Sequence, residues 1–80
     1  MTLGGTLLIH GEKHAATLED KPSLRRIRDE LSRALDEHFA IAEGIADADA
    51  RADFLKVFAD DVRRCWTVIR ACQKRLEGRP

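Results

Sequence analysis

The sequence of 80 residues lacks long apolar runs, has only two cysteines and carries no excess of either charge. Two cysteines cannot form the multiple disulfides on which small secreted domains depend. No apolar stretch approaches the roughly 20 residues that a membrane-spanning helix needs. The N-terminal residues show no basic segment before an apolar core, so no signal peptide is indicated and we expect a cytoplasmic protein.

The absence of net charge also excludes classes of partner. Fourteen basic and fourteen acidic side chains cancel at pH 7, so bulk attraction to nucleic acid or to an anionic membrane is not expected. Basic residues are not interleaved with aromatic ones, and no helix-turn-helix spacing is present. A DNA-binding ribbon-helix-helix regulator is kept as an alternative, because TLLIH at 6–10 followed by two helices fits its order, although its helices are far shorter than those predicted here.

Apolar residues recur at three- and four-residue steps from residue 22 to residue 43, which predicts an amphipathic helix. Asp20 or Ser23 can cap its start, and Pro22 is tolerated in the first turn. Gly44 is well placed as the left-handed residue that ends the helix. The apolar stripe comprises Leu24, Ile27, Leu31, Ala34, Leu35, His38, Phe39, Ile41 and Ala42.

A second amphipathic helix is predicted over residues 48–77, capped by Asp47 or Asp49. A link of three to four residues between two long helices predicts an antiparallel hairpin. The apolar positions of the second helix are Phe54, Phe58, Val62, Cys65, Ile69, Cys72 and Leu76, with Leu55, Val57, Trp66 and Val68 beside them.

The predicted fold is therefore all-α, with an N-terminal arm over residues 1–20 and a helical hairpin domain over residues 21–80. One hairpin cannot hide two wide apolar faces, because each helix covers only one side of the other. Residues 6–10 can cover part of the remainder as a short strand or extended arm. A core this small barely offsets the entropy of ordering the chain. We therefore expect a homodimer that forms a four-helix bundle, or a protein partner in place of the second copy.

Four polar residues are expected to form a polar seam inside the hairpin. With the turn near residue 45, His38 is level with Asp53 and Phe54, which predicts a neutral imidazole bonded to Asp53 or to a backbone carbonyl. Asp61 is nearly level with Arg28, which predicts a hydrogen-bonded Arg28–Asp61 pair. The alternatives are a pH switch at His38 and an exposed Asp61 that contacts a partner's arginine.

No residue cluster predicts a metal site. No ligand-type residue lies three or four positions from His38. His10 and His14 have the spacing that chelates a metal on a helix, but Gly11 makes that segment a poor helix and no third ligand follows. We therefore expect neither a metal nor another cofactor.

Catalysis is not indicated either. Cys65 and Cys72 lie about 10 Å apart along a helix, too far to bridge, and are predicted to be small core residues. There is no nucleophile–base pairing and no glycine-rich phosphate loop. The sequence of the first helix, SLRRIRDELSRALDEHFAIAEGIA, faintly resembles that of the AroQ-type chorismate mutases. That family needs a cationic pocket, whereas the corresponding stretch here, DADARADFLK, is acidic and then apolar, and no third helix is predicted. We expect no enzyme.

Charge is segregated along the chain. Residues 21–35 carry five basic and two acidic side chains, residues 62–80 six and one, and residues 36–61 two and eight. An antiparallel hairpin therefore has a basic end and an acidic turn end. Either two hairpins pack head to tail, or one end docks a partner of opposite charge.

The size and hairpin layout of residues 22–77 resemble the small helical antiactivators of the QseM/TraM type, which silence quorum-sensing transcription factors in rhizobia and agrobacteria. The resemblance rests on architecture, and the same layout suits anti-sigma factors, antitoxins and secretion chaperones. It implies an antiactivator that binds a bacterial transcriptional activator without touching DNA itself. A self-contained dimeric scaffold is the alternative. The residues expected near the partner surface are Arg25, Arg26, Trp66, Arg70 and Arg75.

Overall fold

The structure, a computed structural model, describes residues 3–15, 17 and 19–78, and these form four helices. Helix α1 spans Gly5–His14, α2 Lys21–Glu43, α3 Ala48–Val57 and α4 Ala59–Leu76. The described residues contain no strand, so the prediction of an all-α fold is confirmed. None of the four helices is long and apolar enough to cross a bilayer.

Helices α2 and α4 are the two longest helices and pack against each other. Arg28 contacts Gln73 near one end and His38 contacts Phe54 near the other, so the chain runs in opposite directions on the two sides of the hairpin. The apolar stripes predicted from the sequence face each other along this pair. Their fully buried residues include Leu24, Leu31, Cys65 and Cys72. The resulting body is elongated, 44 × 19 × 18 Å.

Residues 6–10 belong to helix α1, so the prediction of a strand or an extended arm is wrong. Helix α1 lies against both α2 and α4 and contributes Leu8, which is fully buried, to their core. Gly11 is the reason that α1 fits. A Cβ at this position would lie 2.7 Å from Val68 Cγ1 and 3.2 Å from Ile27 Cγ2. Glycine lowers helix propensity, but here close packing of three helices requires it.

Two polar contacts fasten α1 to α4. The Leu3 amide donates a hydrogen bond of 3.1 Å to the Asp61 carboxylate. Arg64 donates from Nε to Glu12 at 2.8 Å and from a second nitrogen to the other carboxylate oxygen. This guanidinium lowers the pKa of the Glu12 carboxyl. Paired hydrogen bonds of this kind fix orientation as well as adding attraction.

The helix ends follow the sequence only in part. The Asp47 carboxylate accepts from the Ala50 amide at 2.9 Å, which confirms it as the cap of α3. Gly44 has φ −75° and ψ −10°, so the prediction of a left-handed residue at this position is wrong. The Arg51 guanidinium donates two hydrogen bonds, of 3.1 and 2.9 Å, to the Ile45 carbonyl. The Arg51 side chain thus holds the loop after α2, which a left-handed Gly44 was expected to close.

The second predicted helix is divided at Phe58, which has non-helical angles (φ −100°, ψ 6°). Helix α3 has no fully buried residue. The break brings Phe54 and Phe58 together on His38 of α2, with ring centroids 4.9 and 5.4 Å away. A continuous helix over residues 48–77 was the expectation, and this break changes which residues face each other across the hairpin.

Candidate functional site

His38 is buried, with 3% of its surface exposed, but the predicted hydrogen bond to Asp53 is absent. Asp53 is exposed. The imidazole stacks on Phe54 instead, with 23° between the two planes, while Phe58 and Phe39 meet it edge-on. Its Nε2 atom is buried and has no hydrogen-bond partner among the described residues. The seam around His38 is thus aromatic rather than polar.

The predicted Arg28–Asp61 pair is also wrong. Arg28 donates to Gln73 at 3.0 Å and to Asp29 at 2.9 Å. Asp61 instead accepts from the Leu3 amide and from Arg64. The prediction assumed a tight turn followed by one straight helix, whereas the loop and the break at Phe58 shift the register of α4 along α2.

The hairpin has two sides, and α1 covers one of them. On α2, the side that faces α1 includes Ile27 and Glu30, which form a cleft with Thr6 and Leu7 of α1. On the other side, Arg28 and Gln73 join α2 to α4. Helical steps of four and seven residues place further side chains on that uncovered side. We call it the open face, and it comprises Arg28, Phe39, Val62, Trp66 and Gln73.

The open face carries exposed aromatic side chains. Phe39 is 40% exposed and Trp66 is 45% exposed. The whole chain has only three phenylalanines and one tryptophan. Two of these four rings are at least 40% exposed, and both lie on the same side of the helix pair. Beneath them, Leu35 is buried and Val62 packs against the core. The sequence pattern predicts Trp66 at a partner surface, whereas it places Phe39 in the apolar stripe of the first helix.

The five residues predicted to bind a partner do not all lie together. Arg70 follows Trp66 by one helical turn and therefore borders the open face. Arg25 precedes Arg28 by nearly one turn of α2, so it borders the open face as well. Both are exposed, and neither forms an ion pair within the described ranges.

The other two arginines lie towards the α1 side. Arg26 pairs with Glu30 at 3.1 Å and lines the cleft between α1 and α2. Arg75 is exposed and follows Val68, which packs against α1, by seven residues, so the helical period places it on that side of α4.

A second concave region lies where the groove filled by α1 continues past the start of that helix. Ile27 contacts α1, and steps of seven residues along α2 lead from it to Ala34 and Ile41 on the same side. The cavity there has a volume of about 310 Å³. We call it the His38 pocket, lined by Leu3, Gly4, Ala34, Glu37, His38, Ile41, Phe54 and Phe58.

Neither the remaining histidines nor the cysteines form a metal cluster. His10 and His14 lie on one side of α1 with ring centroids 4.7 Å apart. Across residues 3–15, 17 and 19–78, no group of three or more His, Cys, Asp or Glu side chains could hold a metal ion. Cys65 and Cys72 are free and fully buried, as predicted, and burial raises the pKa of both thiols.

Comparison of the chain with protein-family models, with curated protein sequences and with solved structures returns no match. Function is therefore inferred from the geometry of the open face and of the His38 pocket.

Proposed function

We propose that this chain is a protein-binding module that acts as an antiactivator, holding a helix of a bacterial transcriptional activator on its open face. The observation that carries the proposal is the exposure of Phe39 and Trp66 on the one side of the hairpin that α1 leaves uncovered. Aromatic side chains at the rim of a packed core are frequent anchors of protein interfaces. An amphipathic helix is an element that can pack its apolar side against such a face.

Charge indicates which helix would fit. Arg25 and Arg70 border the open face and have no ion-pair partner among the described residues. Acidic side chains on either side of an apolar stripe would therefore complement this face. Such complementarity favours correct register and fast association more than it adds affinity. We infer a partner helix with two or three apolar anchors and flanking Asp or Glu residues.

Self-association uses the same face in this proposal. A second copy that covers Phe39 and Trp66 forms a four-helix bundle from two hairpins, and its acidic turn lies against the basic end of the first. The activator would then compete with the second copy for one surface. No catalysis, cofactor, nucleic-acid contact or membrane contact is part of the proposed activity, which we place in the cytoplasm.

The experiment is capture with the tagged full chain from its native host, followed by reconstitution. Trp66→Ala is the test variant, and Val57→Ala is the control because Val57 is 75% exposed on α3 and is not one of the open-face residues. We expect wild type and the control to capture a transcriptional activator in stoichiometric amounts, and Trp66→Ala to lose it. The purified activator should leave its DNA when the chain is added, while the chain alone causes no gel shift.

Other results lead to other functions. Recovery of the chain alone, as a dimer that Trp66→Ala dissociates, indicates a self-contained dimeric scaffold. Capture of a toxin or a secreted protein indicates an antitoxin or a chaperone that uses the same face. A gel shift by the chain itself at low salt would contradict the proposal, because an antiactivator of this kind does not contact DNA.

A further inference from the structure

We propose that the His38 pocket binds a small aromatic ligand that carries a hydroxyl group and no negative charge. The pocket lies on the α1 side of the hairpin, so this inference does not depend on the function proposed for the open face. Its volume of about 310 Å³ exceeds what a single ring needs, since an engineered apolar cavity of about 150 Å³ is enough to bind benzene. Leu3, Ala34, Ile41 and the two phenylalanines make its walls mainly apolar.

The hydroxyl group of the proposed ligand is inferred from the unpaired Nε2 atom of His38. Buried polar atoms in folded proteins nearly always have a hydrogen-bond partner. Nε2 of His38 has none among the described residues, although the ring is buried and borders the pocket. A neutral imidazole presents Nε2 either as a donor or as an acceptor, and a hydroxyl group can pair with both forms. A hydroxyl group on the ligand would therefore satisfy this atom, and a pure hydrocarbon would not.

The pocket wall can adapt to bring such a group to Nε2. The rings that stack on His38 are Phe54 and Phe58, and both also line the pocket. Both are only partly buried, and they lie on α3 and at the break that follows it. Because α3 has no fully buried residue, these rings can turn without disrupting the core between α2 and α4. A ligand ring can then take their place against the imidazole.

The absence of negative charge on the proposed ligand is inferred from the acidic side chains at the rim of the pocket. Glu37 lines it and forms no ion pair among the described residues. Glu43 and Asp53 are also exposed on the acidic turn end of the hairpin. An anionic ligand would be repelled there, while a neutral phenol is tolerated and a cationic one is attracted.

The test is an NMR titration of the labelled full chain with three probes that share a ring. We use p-cresol, toluene as the match without a hydroxyl group, and 4-hydroxybenzoate as the match with a negative charge. We expect p-cresol to shift the signals of His38, Phe54 and Phe58, including the Nε2 resonance. Toluene should bind about tenfold more weakly, as one buried hydrogen bond allows, and 4-hydroxybenzoate more weakly than p-cresol.

Two variants and one control locate the effect. His38→Phe keeps a ring but removes Nε2, so the preference for p-cresol over toluene should disappear. His10→Phe changes an exposed histidine outside the pocket and should leave that preference intact. If His38→Phe does not fold, Ile41→Trp serves instead, because Ile41 is exposed at the rim and a larger side chain there fills the pocket.

Three results would overturn the inference. The first is that p-cresol shifts no pocket signal. The second is equal affinity of p-cresol and toluene, which would mean that Nε2 takes no part. The third is a shift of the His38, Phe54 and Phe58 signals with protein concentration alone, which would show that a second copy of the chain occupies the pocket.

Discussion

The imidazole of His38 stacks on the ring of Phe54, with the centroids 4.9 Å apart and the planes 23° from parallel. This pair joins α2 to α3 through an aromatic contact, at a position where a hydrogen bond between a neutral imidazole and Asp53 or a backbone carbonyl was predicted. The stack leaves Nε2 buried without a partner among the described residues, and such an atom loses its hydration without compensation. His38 is therefore a place where an apolar substitution is expected to stabilise the fold.

His38→Leu should fold and be as stable as wild type or more stable, by up to about 2 kcal/mol, because the substitution removes a buried unsatisfied group. Urea unfolding monitored by circular dichroism measures the change. His14→Leu is the control, since His14 is exposed and its loss relieves no buried atom. A clear loss of stability in His38→Leu alone would mean that Nε2 has a partner in solution.

Gly11→Ala should destabilise the protein by about 1–3 kcal/mol, the usual cost of overpacking a core. The added Cβ would meet Val68 Cγ1 at 2.7 Å, and this clash outweighs the gain of up to about 1 kcal/mol in helix propensity. The measurement is the free energy of unfolding in urea. Val68→Ala in the same chain makes room for the new methyl group, so the two substitutions together should cost less than their sum.

If the two costs were simply additive, Gly11 and Val68 would not be in contact and α1 would not lie where the structure places it. Gly44→Ala is a useful reference, because Gly44 has a right-handed backbone and only ordinary contacts around a new Cβ. It should change stability little.

Trp66 is the only tryptophan in the chain, so its fluorescence reports directly on the open face. At high dilution its emission should lie near that of a half-exposed indole, and it should shift to shorter wavelength when a partner or a second copy covers it. Trp66→Phe removes the signal and keeps an aromatic ring over the part of the side chain that is buried. Emission that stays constant from nanomolar to millimolar protein would contradict self-association through this face.

The Glu12–Arg64 pair predicts a pH dependence of stability. Arg64 lowers the pKa of Glu12 below its ordinary value of 4.5, so the folded state binds the proton less readily than the unfolded state does. The contribution of the pair is therefore fully present above pH 4.5 and is lost as the pH falls through the lowered pKa. The melting temperature of Glu12→Gln should lie below that of wild type at pH 7, and the difference should become smaller as the pH is lowered from 7 to 3.

Glu43→Gln is the matched control for this prediction, because Glu43 is exposed and pairs with no basic side chain among the described residues. Its melting temperature should follow that of wild type at both pH values. A constant difference between Glu12→Gln and wild type from pH 7 to pH 3 would mean that the Glu12 charge does not act through Arg64.

The long helices could be predicted from the sequence because each depends on a local, repeated signal. The apolar spacing of α2 is unbroken from Leu24 to Ala42, and both ends of α2 lie within one residue of the predicted bounds. Helix α1 could not be predicted in the same way. Gly11 in this helix has an unfavourable helix propensity. The reason for a glycine there is its close packing against Ile27 and Val68, which are distant in sequence.

The predicted contacts across the hairpin, His38–Asp53 and Arg28–Asp61, were wrong for a different reason. The apolar spacing continues through Phe58, so periodicity alone cannot reveal that the helix breaks there. The register of Arg28 against Gln73 depends on that break and on the loop before α3. An aromatic environment for His38 was open to prediction from the same pattern, since Phe54 is next to Asp53 in the sequence and Phe58 follows Phe54 by one helical turn.

Helix α1 also determines how many chains can join through the hairpin. A hairpin without α1 would expose apolar surface on both of its sides. Contacts through two different sides can link one molecule to the next and so form filaments. Leu8 and Gly11 pack α1 of the same chain onto one of these sides. In the self-association proposed above, growth through the open face would stop at two chains, because α1 occupies the other side and so limits the size of the assembly.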